Sequence, residues 1–178
     1  MNENDIERVL DCAMRDLFSR DLYLITNDAS ERSIAHRLGI YLESHLKLLG
    51  SDLHVDCEYN RVNFTLPKIL QCIDDRTIPK GRGVYPDLIV HDRGNNDNNL
   101  LVIEIKKSTS GDAGGFDKKK INGYVDELRY TYGFCLNIQT GAGVTETKKR
   151  KYCISYRRTS ITNNTIQRGP GHDDGRGE

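Results

Sequence analysis

Residues 100–106 read LLVIEIK, an apolar run that is interrupted near its end by a carboxylate and an ammonium group. A continuous apolar run of this kind is typical of a central strand that is covered on both faces of a sheet. Successive strand side chains point to opposite faces, so Glu104 and Lys106 project from the same face. A buried charge has to pair, reach a cleft or bind a cation, because burying it alone is costly. An edge strand whose last residues reach solvent is the alternative.

A second apolar run, residues 87–91 (DLIVH), precedes the first, and the segment DRGNNDNN separates them. Its Gly, Asn and Asp residues predict a turn, so the two runs predict a β-hairpin. Asp87 follows Pro86 and opens its strand, so its carboxylate would meet the polar end of the next strand. Two carboxylates at that edge suit Mg²⁺, which binds through one or two carboxylates and keeps several waters. A turn-capping role for Asp87 is the alternative.

The remaining pattern predicts helices around these strands. The predicted elements are helices over 5–18, 29–49 and 117–131 and strands over 53–60, 133–139 and 152–157. The last helix returns the chain to a neighbouring strand, which predicts a parallel crossover. The fold class is therefore α/β (α+β), a mixed β-sheet flanked by helices. We expect a single domain over 1–166, with a helical extension over 1–28, a core over about 29–139 and a disordered tail over 167–178.

Glu31 is a third acidic candidate. It lies in the middle of the apolar stripe that Ala35, Leu38 and Leu42 form on the predicted helix 29–49, so it points toward the sheet. The alternative is a capping box, in which Asp28 caps the helix and Glu31 folds back on its N-terminus.

Composition limits the function classes. The 26 Lys and Arg residues balance 26 Asp and Glu residues, so the chain is not a histone-like protein that binds nucleic acid through overall charge. No apolar run is long enough for a membrane span, and the first residues lack a secretory signal pattern. The five cysteines include no Cys-x-x-Cys pair, which predicts free thiols. We therefore expect a cytoplasmic protein without a membrane partner.

Weaker candidates surround the proposed site. His91 has the same strand parity as Asp87, and Glu58 lies on a polar strand; a structural histidine and a solvated strand face are the alternatives. Basic residues grouped in loops could contact a phosphate backbone, although each could also be an ordinary solvated side chain. These basic residues are Lys80, Arg82, Lys107, Lys118, Lys119 and Lys120.

Pro86-Asp87, followed on the next strand by Glu104-Ile105-Lys106, resembles the motif of the PD-(D/E)XK nuclease superfamily. The helix segment SERSIAHRL, with its Glu31, resembles the first helix of the Holliday-junction-resolvase branch. The resemblance implies a restriction-endonuclease-like α-β-β-β-α-β core. The chain departs from recombination-type members in lacking a Gln-x-x-x-Tyr motif on the helix after Lys106, so exonuclease-like processing is not implied by the resemblance.

The resemblance also implies roles for the candidate residues. Asp87, Glu104, the Ile105 carbonyl and Glu31 would bind one or two Mg²⁺ ions, for which Mn²⁺ could substitute. Lys106 would orient or deprotonate the attacking water and stabilise the transition state. The implied function is a Mg²⁺-dependent DNA endonuclease, in phage restriction, mobile-element biology or DNA repair. RNA as substrate, a homodimer and a targeting partner protein stay open, and the alternative is a non-catalytic nucleic-acid-binding or assembly module that keeps the fold.

Overall fold

The computed structural model describes residues 1–62, 66–72, 83–110, 115–144 and 153–157, the backbone alone for 115–118 and 153–157. Lys80, Arg82 and the predicted tail lie outside the described residues. The helices are α1 (Glu3–Arg20), α2 (Leu22–Thr26), α3 (Glu31–Leu48) and α4 (Gly115–Asp126). The strands are β1 (His54–Cys57), β2 (Arg61–Val62), β3 (Leu66–Pro67), β4 (Leu88–His91), β5 (Leu101–Lys107), β6 (Tyr132–Ile138) and β7 (Cys153–Arg157).

The described strands form a five-stranded sheet in the order β1-β4-β5-β6-β7 and a two-stranded sheet of β2 and β3. β4 is antiparallel to β1 and β5, and β6 is parallel to β5 and antiparallel to β7. The predicted hairpin over 87–106 is therefore confirmed, and so is the parallel crossover through α4. The mixed α/β class is confirmed with them.

β5 is the middle strand of the large sheet, so the edge-strand alternative for residues 100–106 is wrong. Glu104 is only 3% exposed. The predicted alternation is also confirmed: Leu101, Ile103 and Ile105 pack in one core cluster, and Val102 packs in another. Glu104 consequently projects from the face of the sheet that α4 covers.

The two core clusters lie on opposite faces of the large sheet. α1 and α3 cover one face with buried residues such as Leu10, Leu17 and Leu38. Each fully buried side chain of this size stabilises the fold by roughly 1.5–3 kcal/mol relative to an exposed one. The N-terminal helical extension thus shares the main core. None of the described helices has the length and apolar content that a membrane crossing requires.

α4 covers the other face, where Ile121, Tyr124 and Val125 pack against Val102. The approach is close at Gly133 of β6, where an added Cβ would lie 2.6 Å from Ile121 Cγ2. This packing fixes the position of α4 above the β5–β6 pair.

Several predicted boundaries differ from the structure. α3 begins at Glu31 rather than at 29, because Ser30 is its N-cap and accepts a hydrogen bond from the Ser33 N–H. The preceding Asp28 has a left-handed backbone, with φ of 52°, which separates the unpredicted helix α2 from α3. Between 60 and 87, where no element was predicted, the structure has the two short strands β2 and β3.

Candidate functional site

Asp87 and Glu104 lie beside each other at one end of the sheet. The β4–β5 register pairs Leu88 with Ile103, so the next step sets Asp87 opposite Glu104 on the same face. Asp87 Oδ2 accepts a hydrogen bond of 2.6 Å from the Ile105 N–H. This bond fixes the Asp87 carboxylate against β5, immediately before β4 begins.

The Ile105 backbone contributes a second polar group at this place. In an antiparallel pair, one residue directs its N–H and its C=O toward the same neighbouring strand. Since the Ile105 N–H points to Asp87, the Ile105 carbonyl points to the same edge. The Ile105 side chain is buried in the α1–α3 core. Only the backbone of this residue therefore takes part in the site.

Glu104 is held by an ion pair that the sequence did not predict. Its Oε2 accepts a hydrogen bond of 2.6 Å from Lys120 Nζ on α4. The side chains of Glu104 and Lys120 are 4% and 15% exposed. Lys120, predicted to contact a DNA backbone, directs its ammonium group to the Glu104 carboxylate in this structure. Lys119 is exposed, and the side chain of Lys118 lies outside the described residues.

Tyr124, on α4, lies near the Glu104–Lys120 ion pair. It lies one helical turn after Lys120 and is fully buried. Burial raises the pKa of its hydroxyl, and the nearby Glu104 carboxylate raises it further. Tyr124 therefore stays neutral beside Glu104.

Neighbouring groups shift the pKa of the Asp87 carboxyl in opposite directions. Burial raises the pKa of its carboxyl, and the Glu31 carboxylate adds to the rise. The hydrogen bond from Ile105 and the ammonium groups of Lys120 and Lys106 lower the same pKa, but burial outweighs them. Acidic and basic groups from α3, β5 and α4 thus act on one carboxylate, as expected of a functional site.

Glu31 reaches the end of β5, as its place in the apolar stripe predicted. Its Oε1 accepts hydrogen bonds from the Lys107 N–H, at 3.2 Å, and from Ser110 Oγ, at 3.0 Å. The capping-box alternative is wrong, since Ser30 and not Asp28 is the N-cap. Glu31 therefore links α3 to the strand that carries Glu104 and Lys106.

Asp28 has a different role, which the sequence did not reveal. Its Oδ1 accepts hydrogen bonds from Thr140 Oγ1 at 2.7 Å and Thr109 Oγ1 at 2.9 Å, and lies 3.1 Å from Lys107 Nζ. Thr140, then Lys107 and Thr109, lower the pKa of Asp28 through these bonds. Lys107, predicted to contact DNA, directs its ammonium group to Asp28 in this structure and so links the α2–α3 turn to the sheet.

His91 lies at the opposite end of β4 from Asp87. It is buried, its Nε2 is 2.9 Å from Asp56 Oδ2, and its ring packs against Tyr59 in a tilted arrangement with centroids 4.7 Å apart. Arg93 donates two further hydrogen bonds to the same Asp56 carboxylate. These contacts fit the structural alternative for His91 rather than a partner of the site.

Glu58 lies beside Asp87 but is paired elsewhere. Its Oε1 is 2.5 Å from Arg32 Nε on α3. Both residues line a cavity of about 120 Å³ with Ala35, Cys57 and Asp87. Glu58 therefore lies near Asp87 but forms its ion pair with Arg32.

The donor set at this edge suits a hard divalent cation. The Asp87 and Glu104 carboxylates and the Ile105 carbonyl are oxygen donors of the kind that Mg²⁺ prefers. Within the described ranges, however, no three His, Cys, Asp or Glu side chains are close enough to hold one ion. Glu31 therefore does not join Asp87 and Glu104 in a single group of ligands. Two carboxylates with water remain a sufficient set for Mg²⁺.

No protein-family model matches the chain, and no curated protein or solved structure matches it either. The features that bear on function are consequently those of the residues themselves, above all the place of Asp87 opposite Glu104, beside Lys106 and Lys120.

Proposed function

We propose that the protein is a Mg²⁺-dependent DNA endonuclease with a restriction-endonuclease-like fold. The observation that carries the proposal is the place of Asp87 opposite Glu104, on adjacent strands and the same face. Lys106 follows on that face of β5, and its charge acts on Asp87. A carboxylate pair next to an ammonium group is what metal-assisted phosphodiester hydrolysis requires.

Each residue has a separable task in this proposal. Asp87 and Glu104 would hold the ion together with the Ile105 carbonyl, and Glu31 would act through water. When bound, Mg²⁺ supplies a hydroxide nucleophile and polarises the phosphate. The Lys106 ammonium group stabilises the negative charge that develops on the phosphate in the transition state. An ammonium group close to carboxylates is favoured in its charged form, so we assign Lys106 to charge stabilisation rather than to proton abstraction.

Cleavage of supercoiled plasmid and branched DNA in Mg²⁺ tests the proposal. Asp87→Ala and Glu104→Ala are expected to remove activity, and EDTA should stop the wild-type protein. Glu43→Ala is the matched control, since Glu43 is a carboxylate on α3 that pairs with the exposed Lys47. Equal activity in the wild type and the two site variants would remove the proposal. The same assay on RNA decides the nucleic acid, and sedimentation of the full chain tests for a homodimer.

One observation favours the non-catalytic alternative. Lys120 neutralises Glu104 within the protein, as it would in a purely structural ion pair. A binding module of this kind would bind DNA in a salt-sensitive manner without Mg²⁺-dependent turnover. The cleavage assay and a salt titration of DNA binding separate the two functions.

A further inference from the structure

The Glu104–Lys120 pair occupies the place where the proposed function needs a metal. Glu104 is buried, and a buried carboxylate without a counter-charge is strongly disfavoured. Lys120 supplies that charge through a hydrogen bond of 2.6 Å to Oε2. The ammonium group is therefore the counter-ion of one proposed ligand.

Lys120 is held in place by its helix. It precedes Tyr124 by one turn, so both project from the face of α4 that packs on the sheet. Lys119 is exposed, and its carbonyl accepts a hydrogen bond from Cys72 Sγ. The two adjacent lysines thus differ in environment, and only Lys120 reaches the carboxylates.

A divalent cation bound to Glu104 would share this carboxylate with the Lys120 ammonium group. Both are positively charged, so they repel each other when both lie against Glu104. The charge of Lys120 also acts on Asp87, the other proposed ligand. This repulsion favours displacement of Lys120 from Glu104 when a cation binds the carboxylate.

We propose that Lys120 is a positioning residue, whose ammonium group holds Glu104 in place before metal binding and is displaced when a divalent cation binds. The inference rests on the proposed function, because it takes Glu104 as a metal ligand. It assigns Lys120 to the control of metal affinity rather than to a contact with the DNA backbone.

Calorimetric titration of the full chain with Mn²⁺ alone tests the inference. Lys120→Gln removes the charge, and we expect it to bind Mn²⁺ at least five-fold more tightly than the wild type. Lys119→Gln, which removes the same charge from the exposed neighbour, should bind as the wild type does. Lys120→Arg keeps the charge and should also show no gain.

The rise in melting temperature on adding Mn²⁺ is a second readout, since a ligand that binds the folded state raises its stability. We expect a larger rise in Lys120→Gln than in the wild type. If that variant folds poorly, Lys120→Met provides a second neutral side chain, and each variant is compared with its own metal-free form. Equal or weaker Mn²⁺ affinity in the neutral variants would overturn the inference.

The titration also separates the inference from the proposed function. One outcome would overturn the inference alone: the wild type binds Mn²⁺, Asp87→Asn removes this binding, and Lys120→Gln leaves it unchanged. The proposed metal site would then still stand. An absence of Mn²⁺ binding in the wild type and in both neutral variants would overturn both. Binding by the neutral variants alone would support the inference.

Discussion

The Asp87 carboxylate accepts its hydrogen bond from the Ile105 N–H, one residue beyond its cross-strand neighbour Glu104. The side chain therefore extends along β5 toward Lys106. Its carboxylate accepts the hydrogen bond that a backbone carbonyl would accept if β4 began earlier. Because one bond ties Asp87 to the strand that carries Glu104 and Lys106, the geometry of the candidate site depends on the β4–β5 hairpin.

Lys106→Met is expected to lower the rate of cleavage by about 100-fold or more, because it removes a charge that stabilises the transition state. Mn²⁺ affinity should not fall, since the carboxylates remain. The measurements are single-turnover cleavage and calorimetry. Lys47→Met, which removes an exposed lysine on α3, is the control. A cleavage rate equal to that of the wild type would exclude Lys106 from the chemistry.

Glu31→Gln separates the charge of Glu31 from its hydrogen bonds. The amide oxygen can still accept from the Lys107 N–H and Ser110 Oγ, so we expect the free energy of unfolding to stay near the wild-type value. Glu31→Ala loses both bonds and should be destabilised by about 1–2 kcal/mol in urea unfolding. Cleavage should fall in both variants. Full activity in Glu31→Gln would limit Glu31 to a structural role.

Stability without metal should depend on the ionisation of Asp87. Burial raises its pKa above the ordinary 3.8, so the folded protein keeps this proton to a higher pH than the unfolded chain does. The stabilisation is complete below the unfolded pKa and is lost as pH rises through the folded value. In EDTA at pH 7, Asp87→Asn should therefore be more stable than the wild type, and the difference should shrink toward pH 3. Lower stability of the variant in urea at pH 7 would contradict this sign.

Asp56 should show the opposite dependence. Burial acts to raise its pKa, but the hydrogen bonds from Arg93 and His91 outweigh it, so the pKa lies well below 3.8. This stabilisation is present above the unfolded pKa and is lost as pH falls through the folded value. Asp56→Asn should cost about 1–3 kcal/mol in urea unfolding at pH 7 and less in acid. Cleavage per folded molecule should not change; a specific loss of activity would place the His91 cluster in the mechanism.

Hydrophobic periodicity predicted the parts of the site that lie on regular elements. The alternation in residues 100–106 placed Glu104 and Lys106 on one face, and the helical stripe placed Glu31 toward the sheet. Both patterns are local, because each side chain's direction follows from its own helix or strand. The turn composition before β5 likewise predicted the hairpin that sets Asp87 opposite Glu104.

The pairings between distant elements were not predictable in the same way. Helical spacing puts Lys120 on the same face as Tyr124, which was a signal that its side chain turns inward. The choice of Glu104 as its partner, however, depends on how α4 lies over β5. The bonds of Asp28 to Thr109 and Thr140 similarly join segments that meet only after folding. The helix predicted over 29–49 begins only at Glu31, because Ser30 is its N-cap and has a non-helical backbone with ψ of 148°.

Anomalous diffraction from crystals soaked in Mn²⁺ tests the central claim most directly. We predict one strong peak at the end of the sheet, within about 2.0–2.4 Å of a carboxylate oxygen of Asp87, a carboxylate oxygen of Glu104 and the Ile105 carbonyl oxygen. Lys120 Nζ should have moved away from Glu104 in the same crystals. Manganese bound elsewhere only, with Glu104 still paired to Lys120 and Asp87 without a metal contact, would contradict the account.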